Sequence, residues 1–294
     1  MSSPASKPRV AFLGLGIMGG GMARRLLGAG FPLAGWNRNP EKSAPLATAG
    51  ARVATSPADA AKDADVIVSM IADDKAAREV WFGANGAAST AKRGAIFIEA
   101  STVTVAWVRE LAAAAKARGC DFLDAPVTGS KIHANSGELN FLVGGDAATL
   151  ERARPVLAPM SKTITHLGPV GSGATIKLIN NFVCGTQVAA LAEAMAMIER
   201  SGLERTKALD VLLSGAPGSP LVKTIAARMT AADYTPNFFL SLLAKDLGYA
   251  IQEAATHALD LSTAAAARKV FERAIAAGYG DKDMSAAVEP LRKR

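Results

Sequence analysis

The sequence predicts an α/β chain, a mainly parallel, doubly wound sheet followed by an all-α second half, with one long helix bridging the two. Three observations carry this expectation. Short apolar runs of strand length alternate with helix-periodic segments from residue 10 to about 167, and alternation at that spacing builds a parallel sheet covered on both faces. After Gly173 the strand signals stop, and only helix-like periodicity continues. Between Lys162 and Glu193 the single formally charged side chain is Lys177. The residues around it are apolar on every side of a helical wheel, the pattern of a buried helix.

The first strand, Val10 to Leu13, runs into Gly14-Leu15-Gly16-Ile17-Met18-Gly19 and then a helix carrying Met22, Leu26 and Leu27. A GxGxxG match is weak alone; between a strand and a helix it acquires meaning. Gly14 permits the tight turn, Gly16 lets the backbone approach a pyrophosphate, and Gly19 lets the helix lie close to the sheet. The helix N-terminus adds free N–H donors and a positive dipole. A glycine-rich turn without a ligand is the plainer alternative. The first domain is therefore expected to be Rossmann-like.

The second strand, around residues 31–36, ends in Asn37-Arg38-Asn39-Pro40. A site for NAD usually places Asp or Glu here to accept the ribose hydroxyls. A carboxylate would repel a 2′-phosphate, whereas a guanidinium grips it with forked, charge-assisted hydrogen bonds. The expected cofactor is NADP(H), held by Asn37, Arg38 and Asn39, with an ordinary surface arginine as the alternative. Glu41, past Pro40, is expected in the first turn of the next helix.

Further strands are expected over 64–70, 95–99, 120–124, 139–143 and 164–167, with helices through Val80 and over 107–118. The loops Met70-Ile71-Ala72, Ser101-Thr102 and Thr128-Gly129-Ser130 each follow a strand. They should ring one mouth at the carboxyl edge of the sheet, where open α/β sheets bind ligands. Gly129 allows close backbone approach, and Thr128 and Ser130 bring hydroxyl and N–H donors suited to a carboxylate. An ordinary turn has the same composition.

On the bridging helix, Lys177, Asn181, Cys184, Val188, Leu191 and Met195 share one stripe. Two polar side chains one turn apart thus open a face that is otherwise core. An unpaired buried ammonium is costly, so Lys177 either snorkels out of a helix end or is a catalytic ammonium with an amide beside it. Helices follow near 204–213, 221–229, 240–257 and 262–277, punctuated by Gly- and Pro-containing turns at 215–220 and 234–237. The expected division is a disordered leader over 1–8, an NADP-binding domain over 9–170, and a helical substrate and dimerisation domain over 171–294. A cleft between two such domains is a favoured ligand site. Lys177 and Asn181 are expected at its floor, with Lys245-Asp246-Leu247 as a wall, although Lys245 by itself reads as a surface lysine.

Composition narrows the function. Hydrophobic residues make up 50% of the 294, much of it alanine, and aromatics only 5%, which suits close-packed helices. The net charge of +7 favours anionic ligands. No Lys/Arg run stands out except Arg292-Lys293-Arg294, read as a frayed solvated end, so nucleic acid is not the expected partner. Cys120 and Cys184, with His133, His166 and His257 scattered, give neither a disulfide framework nor a metal spacing. No stretch of about 18 apolar residues runs uninterrupted. No membrane span is expected, and the chain reads as soluble and cytoplasmic.

Together these residues resemble the β-hydroxyacid dehydrogenase family, which includes 3-hydroxyisobutyrate dehydrogenase, tartronate semialdehyde reductase and the glyoxylate/succinic semialdehyde reductases. The matching stretches are FLGLGIMGGGMA at 12–23, DAPVTGS at 124–130, GATIKLINN at 173–181 and KDL at 245–247, in the family's order. The ending DKDMSAAVEPL is similar to the reductase branch. The resemblance implies a catalytic lysine at Lys177, an orienting amide at Asn181 and a carboxylate cradle at Thr128, Gly129 and Ser130. It also implies cofactor contacts at Met70, Ile71, Ala72, Thr102 and Lys245, and a homodimer or homotetramer. The hydroxyisobutyrate enzymes tend to have two glycines where this chain has Gly129-Ser130, and an acidic residue where it has Arg38. Both departures resemble the NADPH-using reductases.

The implied activity is reversible hydride transfer from NADPH to the aldehyde or keto carbon of a short acid, such as glyoxylate or succinic semialdehyde. Lys177 serves as general acid for the oxygen that becomes anionic. Action on 3-hydroxyisobutyrate or tartronate semialdehyde is the alternative, because residues lining the pocket for the substrate side chain cannot be placed from sequence. The related imine reductases share the glycine loop and the Asn-Arg pair but generally lack a lysine at this position. The phosphogluconate dehydrogenases have a similar lysine helix on much longer chains. A non-catalytic NADP-binding protein on the same fold is the rival from another class.

Overall fold

The structure, a computed structural model, describes residues 7–292. The chain forms two compact units, one ending at Lys177 and one beginning at Leu178. The expected leader lies outside the described residues except for its last two, of which Lys7 donates to the Ala29 carbonyl.

The first unit runs β1 (Val10–Leu13), α1 (Gly19–Gly28), β2 (Leu33–Trp36), α2 (Ala44–Thr48), β3 (Arg52–Val53), α3 (Pro57–Ala61), β4 (Val66–Ser69) and α4 (Asp74–Phe82). It continues with β5 (Ile96–Glu99), α5 (Val105–Ala117), β6 (Asp121–Asp124), β7 (Val127–Thr128), α6 (Lys131–Ser136), β8 (Leu139–Gly145), α7 (Ala147–Leu157) and β9 (Ser161–Gly168). The sheet order is β3-β2-β1-β4-β5-β6-β8-β7, with β9 on β8. Strand order reverses between β1 and β4, so the loops leaving these strands open on the crevice where such sheets bind ligands. β1, β4 and β5 are buried at every position, as strands covered on both faces must be.

From β3 to β6 every pairing is parallel, as the alternation predicts. Beyond β6 the pattern changes: β8 is antiparallel to both β6 and β7. The link from β7 through α6 to β8 is shorter than the crossover of about a dozen residues that a parallel return requires. β2 begins at Leu33 rather than residue 31, because Pro32 has no N–H for the ladder. Phe12, Val68, Ile98, Leu123 and Phe141 form the core with Met22 and Leu26 of α1 and Leu150 and Val156 of α7.

A single continuous helix, α8 (Ser172–Arg200), carries the chain out of the first unit. In the second unit follow α9 (Arg205–Ser214), α10 (Pro220–Ala231), α11 (Leu240–Thr256), α12 (Ser262–Ala274) and α13 (Glu289–Arg292). α12 ends short of residue 277, in a wide turn where Gly278 takes φ +88°. The stripe expected to be core is core except at Cys184, which is half-buried: Asn181, Val188, Leu191 and Met195 are all buried, the last three packing with Leu243, Leu247 and Phe271. Burial all round α8 does not hold, since Ile179, Val183 and Met197 are 49%, 48% and 74% exposed. Elements of this chain cover one side of that helix, and a wheel plot cannot say which side has neighbours. By length and composition α8 could cross a membrane, but half of its most apolar window is buried inside the protein, as in a core helix.

The C-terminal basic run is not a frayed end at Arg292. Its guanidinium grips Glu199 at 2.7 and 2.9 Å and Glu289 at 2.8 Å, beside Tyr234, which donates to Glu289. Lys293 and Arg294 lie outside the described residues.

Candidate active site

The glycine loop owes its shape to contacts that leave no room for side chains at two positions. A Cβ on Gly14, at φ +94°, would stand 2.3 Å from the Met70 carbonyl, and one on Gly19 would stand 2.0 Å from the Gly14 carbonyl. Gly16 differs: nothing lies within 4 Å of its Cβ position. α4, α5 and α7 are capped by Asp73, Thr104 and Asp146, whereas α1 has no side-chain cap and no acid in its first turn. An open glycine beside uncapped helical amides fits a pyrophosphate.

At the end of β2, Asn37 Oδ1 accepts from the Leu15 N–H at 2.8 Å, and Asn37 Nδ2 donates to the Asn39 carbonyl at 2.9 Å. The amide thus fastens the glycine loop to β2. Asn39 Oδ1 accepts from the Glu41 N–H at 3.0 Å, which starts a short helical turn there. Arg38 is exposed, with no acid at the strand end to repel a phosphate.

The loops after β4 and β5 are joined. Ser101 Oγ accepts from the Ile71 N–H at 2.7 Å, and Asp74 accepts from the Thr104 N–H at 2.9 Å. Beneath them lies Glu99, wholly buried. Its Oε2 accepts from Trp81 Nε1 at 3.1 Å and Trp107 Nε1 at 3.4 Å, and its Oε1 from the Ser101 N–H at 3.1 Å. Burial pushes this carboxyl above the usual carboxylate range, and the donors around it only partly oppose that. Met70, Ile71 and Thr102 are half-buried along this edge, and Ala72 is exposed.

At the end of β6, four residues before Thr128, Asp124 is also buried. Its Oδ1 accepts from the Gly171 N–H and its Oδ2 from the Ala174 N–H, both at 2.8 Å. A Cβ on Gly173 would stand 2.2 Å from the Leu142 carbonyl and 3.0 Å from Asp124 Oδ2. One carboxylate therefore ties the root of Thr128-Gly129-Ser130 to the first turn of α8. Lys177, partly buried, lies one turn beyond Ala174. Burial pushes the Asp124 carboxyl up, opposed by the N–H groups of Gly171, Ala174 and Gly173. Within the cradle, Asn140 Nδ2 lies 3.4 Å from Thr128 Oγ1, and the Ser130 N–H donates to His133 Nδ1 at 3.1 Å.

In the second unit, Asn181 is buried and donates through Nδ2 to Asp246 Oδ2 at 2.6 Å, while its Oδ1 accepts from Asn180 Nδ2 at 2.9 Å. Lys245 is not a free surface lysine. Its Nζ lies 3.0 Å from Asp246 Oδ1 and 4.8 Å from the centre of the Tyr249 ring.

The structure thus gathers the loops after β1, β4 and β5 in the first unit, joins the cradle to the turn before Lys177, and holds Asn181 one helical turn further along α8. Sequence reasoning missed His133 and the acids Glu99 and Asp124 as working residues, and named Asp246 only as part of a wall. For the acids the available signal was a carboxyl inside or at the end of an apolar segment, as in IFIE, DFLD and LLAKDL, and for His133 its place three residues after the N-cap Ser130.

A glycine loop of this geometry at the switch point of a doubly wound sheet defines a dinucleotide-binding protein. Residues 9–168 match the NAD-binding domain of 6-phosphogluconate dehydrogenase, and residues 171–291 match the NAD-binding domain of NADP-dependent 3-hydroxyisobutyrate dehydrogenase. Glyoxylate/succinic semialdehyde reductase 1 of Arabidopsis thaliana is 36% identical over 283 residues, covering 96% of this chain and 98% of the relative. The structure of 3-hydroxyisobutyrate dehydrogenase from Mycobacterium tuberculosis with L-serine superposes with a TM-score of 0.87 at 34% identity, covering 97% of this chain and 99% of that one. 3-Hydroxyisobutyrate dehydrogenase from Salmonella typhimurium superposes at 0.88 with 33% identity, covering 96% and 99%. The chain belongs to the 3-hydroxyisobutyrate dehydrogenase family of NAD(P)-dependent β-hydroxyacid dehydrogenases.

Proposed function

We propose that this protein uses NADPH to reduce a short semialdehyde or 2-oxo acid, of the glyoxylate or succinic semialdehyde kind, to the hydroxy acid. The observation that carries this reading is the buried Asp124, which joins the end of β6, just before the cradle, to the start of the helix bearing Lys177. On this reading the Lys177 ammonium works beside donors suited to a carboxylate, as reduction of an oxo acid requires. When bound, the nicotinamide supplies the hydride. Thr128, Gly129 and Ser130 hold the substrate carboxylate. Lys177 donates a hydrogen bond to the carbonyl oxygen as charge develops there, then delivers its proton. Asn181, its amide direction set by Asp246, orients the ammonium, and Lys245 contacts the cofactor. Oxidation of 3-hydroxyisobutyrate is a second reading, favoured by the full-length likeness to the mycobacterial dehydrogenase.

NADPH oxidation should be followed with glyoxylate, succinic semialdehyde, tartronate semialdehyde and methylmalonate semialdehyde. One of the first two is expected to show the highest kcat/KM. Lys177→Ala should lower kcat about a hundredfold or more, the scale of general acid catalysis, with NADPH affinity retained. Near-normal turnover in that variant would falsify the assignment. NADP(H) rather than NAD(H) is supported by the exposed Arg38 and the absence of an acid at the end of β2. Arg38→Asp should lower the NADPH to NADH preference at least about tenfold, given the strength of guanidinium–phosphate pairing; an unchanged ratio would place the 2′-phosphate elsewhere.

We further propose a cytoplasmic homodimer or homotetramer. The exposed Ile179, Val183 and Met197 on α8 support self-association, which light scattering after size exclusion tests directly; a monomer at micromolar concentration would refute it.

A further inference from the structure

We propose that His133 controls how many hydrogen-bond donors Ser130 can offer to a substrate carboxylate, so that anionic substrates bind more tightly when its imidazole is protonated. The inference rests on the assignment of the cradle to Thr128, Gly129 and Ser130, and adds to it a positioning residue.

The Ser130 N–H donates to His133 Nδ1 at 3.1 Å, and Ser130 Oγ lies 3.0 Å from the same nitrogen. A backbone N–H can only donate, so Nδ1 is the bare, accepting nitrogen and the neutral ring carries its proton on Nε2. The ring sits close against the loop. Gly129 takes φ +120°, and a Cβ there would stand 3.1 Å from His133 Cβ and 2.9 Å from Leu139 Cδ2. While Nδ1 is bare, the Ser130 N–H is engaged by the imidazole, and the hydroxyl hydrogen has the same acceptor within reach.

Uptake of one proton from solvent at Nδ1 reverses this polarity. Nδ1–H can then only donate, and Ser130 Oγ becomes its acceptor. The Ser130 N–H and O–H are both released toward a carboxylate, as charge-assisted donors. Imidazole is the side chain that changes charge around neutral pH, so the cradle acquires a pH dependence that neither Thr128 nor Gly129 could supply. The other charged groups nearby are Lys131 on α6, Glu138 just past its end, and Arg24 and Arg25 on α1, the helix packed against α6. All four remain in the variants below, so any difference isolates His133.

The test compares wild type, His133→Ala and His133→Gln in a pH series from about 5 to about 8. Succinate serves as an unreactive carboxylate for binding, and succinic semialdehyde with saturating NADPH for turnover. In wild type, the succinate Kd and the semialdehyde KM should rise about tenfold with pH, the scale of one charge-assisted hydrogen bond, with kcat changing less than KM. His133→Ala should be flat and close to the wild-type value at low pH. His133→Gln, whose amide oxygen is a permanent acceptor at this helical position, should be flat and close to the value at high pH. By NMR, the Ser130 amide resonance should follow the same midpoint as the His133 ring signals, whichever substrate the enzyme reduces. Failure to reduce the semialdehyde would therefore count against the functional reading alone. A Ser130 resonance blind to His133, or a succinate Kd with the same pH dependence in wild type and His133→Ala, overturns the inference.

Discussion

Glu99 and Asp124 end neighbouring parallel strands and are partners in the register of β5 and β6. Both are fully buried, and burial raises both carboxyls above their ordinary range. Their surroundings differ. Glu99 is held by the indole N–H groups of Trp81 and Trp107 and one backbone N–H. Asp124 is held by N–H groups from the start of a 29-residue helix, whose N-terminus carries a partial positive charge. Two acids side by side in one sheet are thus given different work. Glu99 braces the loops after β4 and β5 and suits a neutral acid, while Asp124 anchors the lysine-bearing helix, where an anion is better supported.

The strongest way to break this contrast is Asp124→Ala. It leaves the Gly171 and Ala174 amides buried without an acceptor and should cost about 3 kcal/mol or more, at roughly 1–3 kcal/mol per orphaned group. Urea denaturation should show the loss, and kcat should fall further than the folded fraction accounts for, because the turn before Lys177 is released. Asp124→Asn keeps the shape but gives up one acceptor and the charge, so an intermediate cost of about 2 kcal/mol is expected. Glu99→Gln also turns one accepting oxygen into a donor, facing either the Ser101 N–H or the two indoles. It gives up no charge if the acid is neutral, so a cost of about 1 kcal/mol, below that of Asp124→Asn, is expected at low pH. If it costs as much as Asp124→Asn, the distinction between the two acids collapses.

A pH series sharpens the same point. A carboxyl raised by folding binds its proton more tightly in the folded than in the unfolded chain. Its contribution to stability is therefore full below the ordinary glutamate range, near pH 4.3, and declines as pH climbs from there through the raised value. Glutamine does not titrate. The Tm of Glu99→Gln relative to wild type should accordingly move upward as pH rises above about 4.3. Parallel Tm curves would mean that Glu99 is not held as a neutral acid.

Much of this site was legible because it is written locally. The strand–GxGxxG–helix unit needs only the positive φ of Gly14 and the close approach of Gly19, and both belong to one short stretch. The stripe from Asn181 to Met195 is a matter of helical period, and its burial follows at every position but the half-buried Cys184. What stayed hidden are pairings across long separations. The Asp124 side chain meets amides 47 and 50 residues away, and Asn181 meets Asp246 at a separation of 65. The reading of Arg292 as a solvated end failed for the same reason, because Glu199 lies 93 residues upstream.

By itself, then, the sequence determined the main strands and helices, though not the short β3 and β7 or the helices α3, α6 and α7, where the phosphate-binding turn lies, and which lysine is the one charge in an apolar helical stretch, since each depends on neighbours within a few turns of chain. Only the tertiary structure decided which buried carboxyl meets which donor and which side of α8 is covered. Those outcomes turn on partners brought within about 3 Å by folding, the range over which a hydrogen bond acts, and no local pattern encodes that proximity.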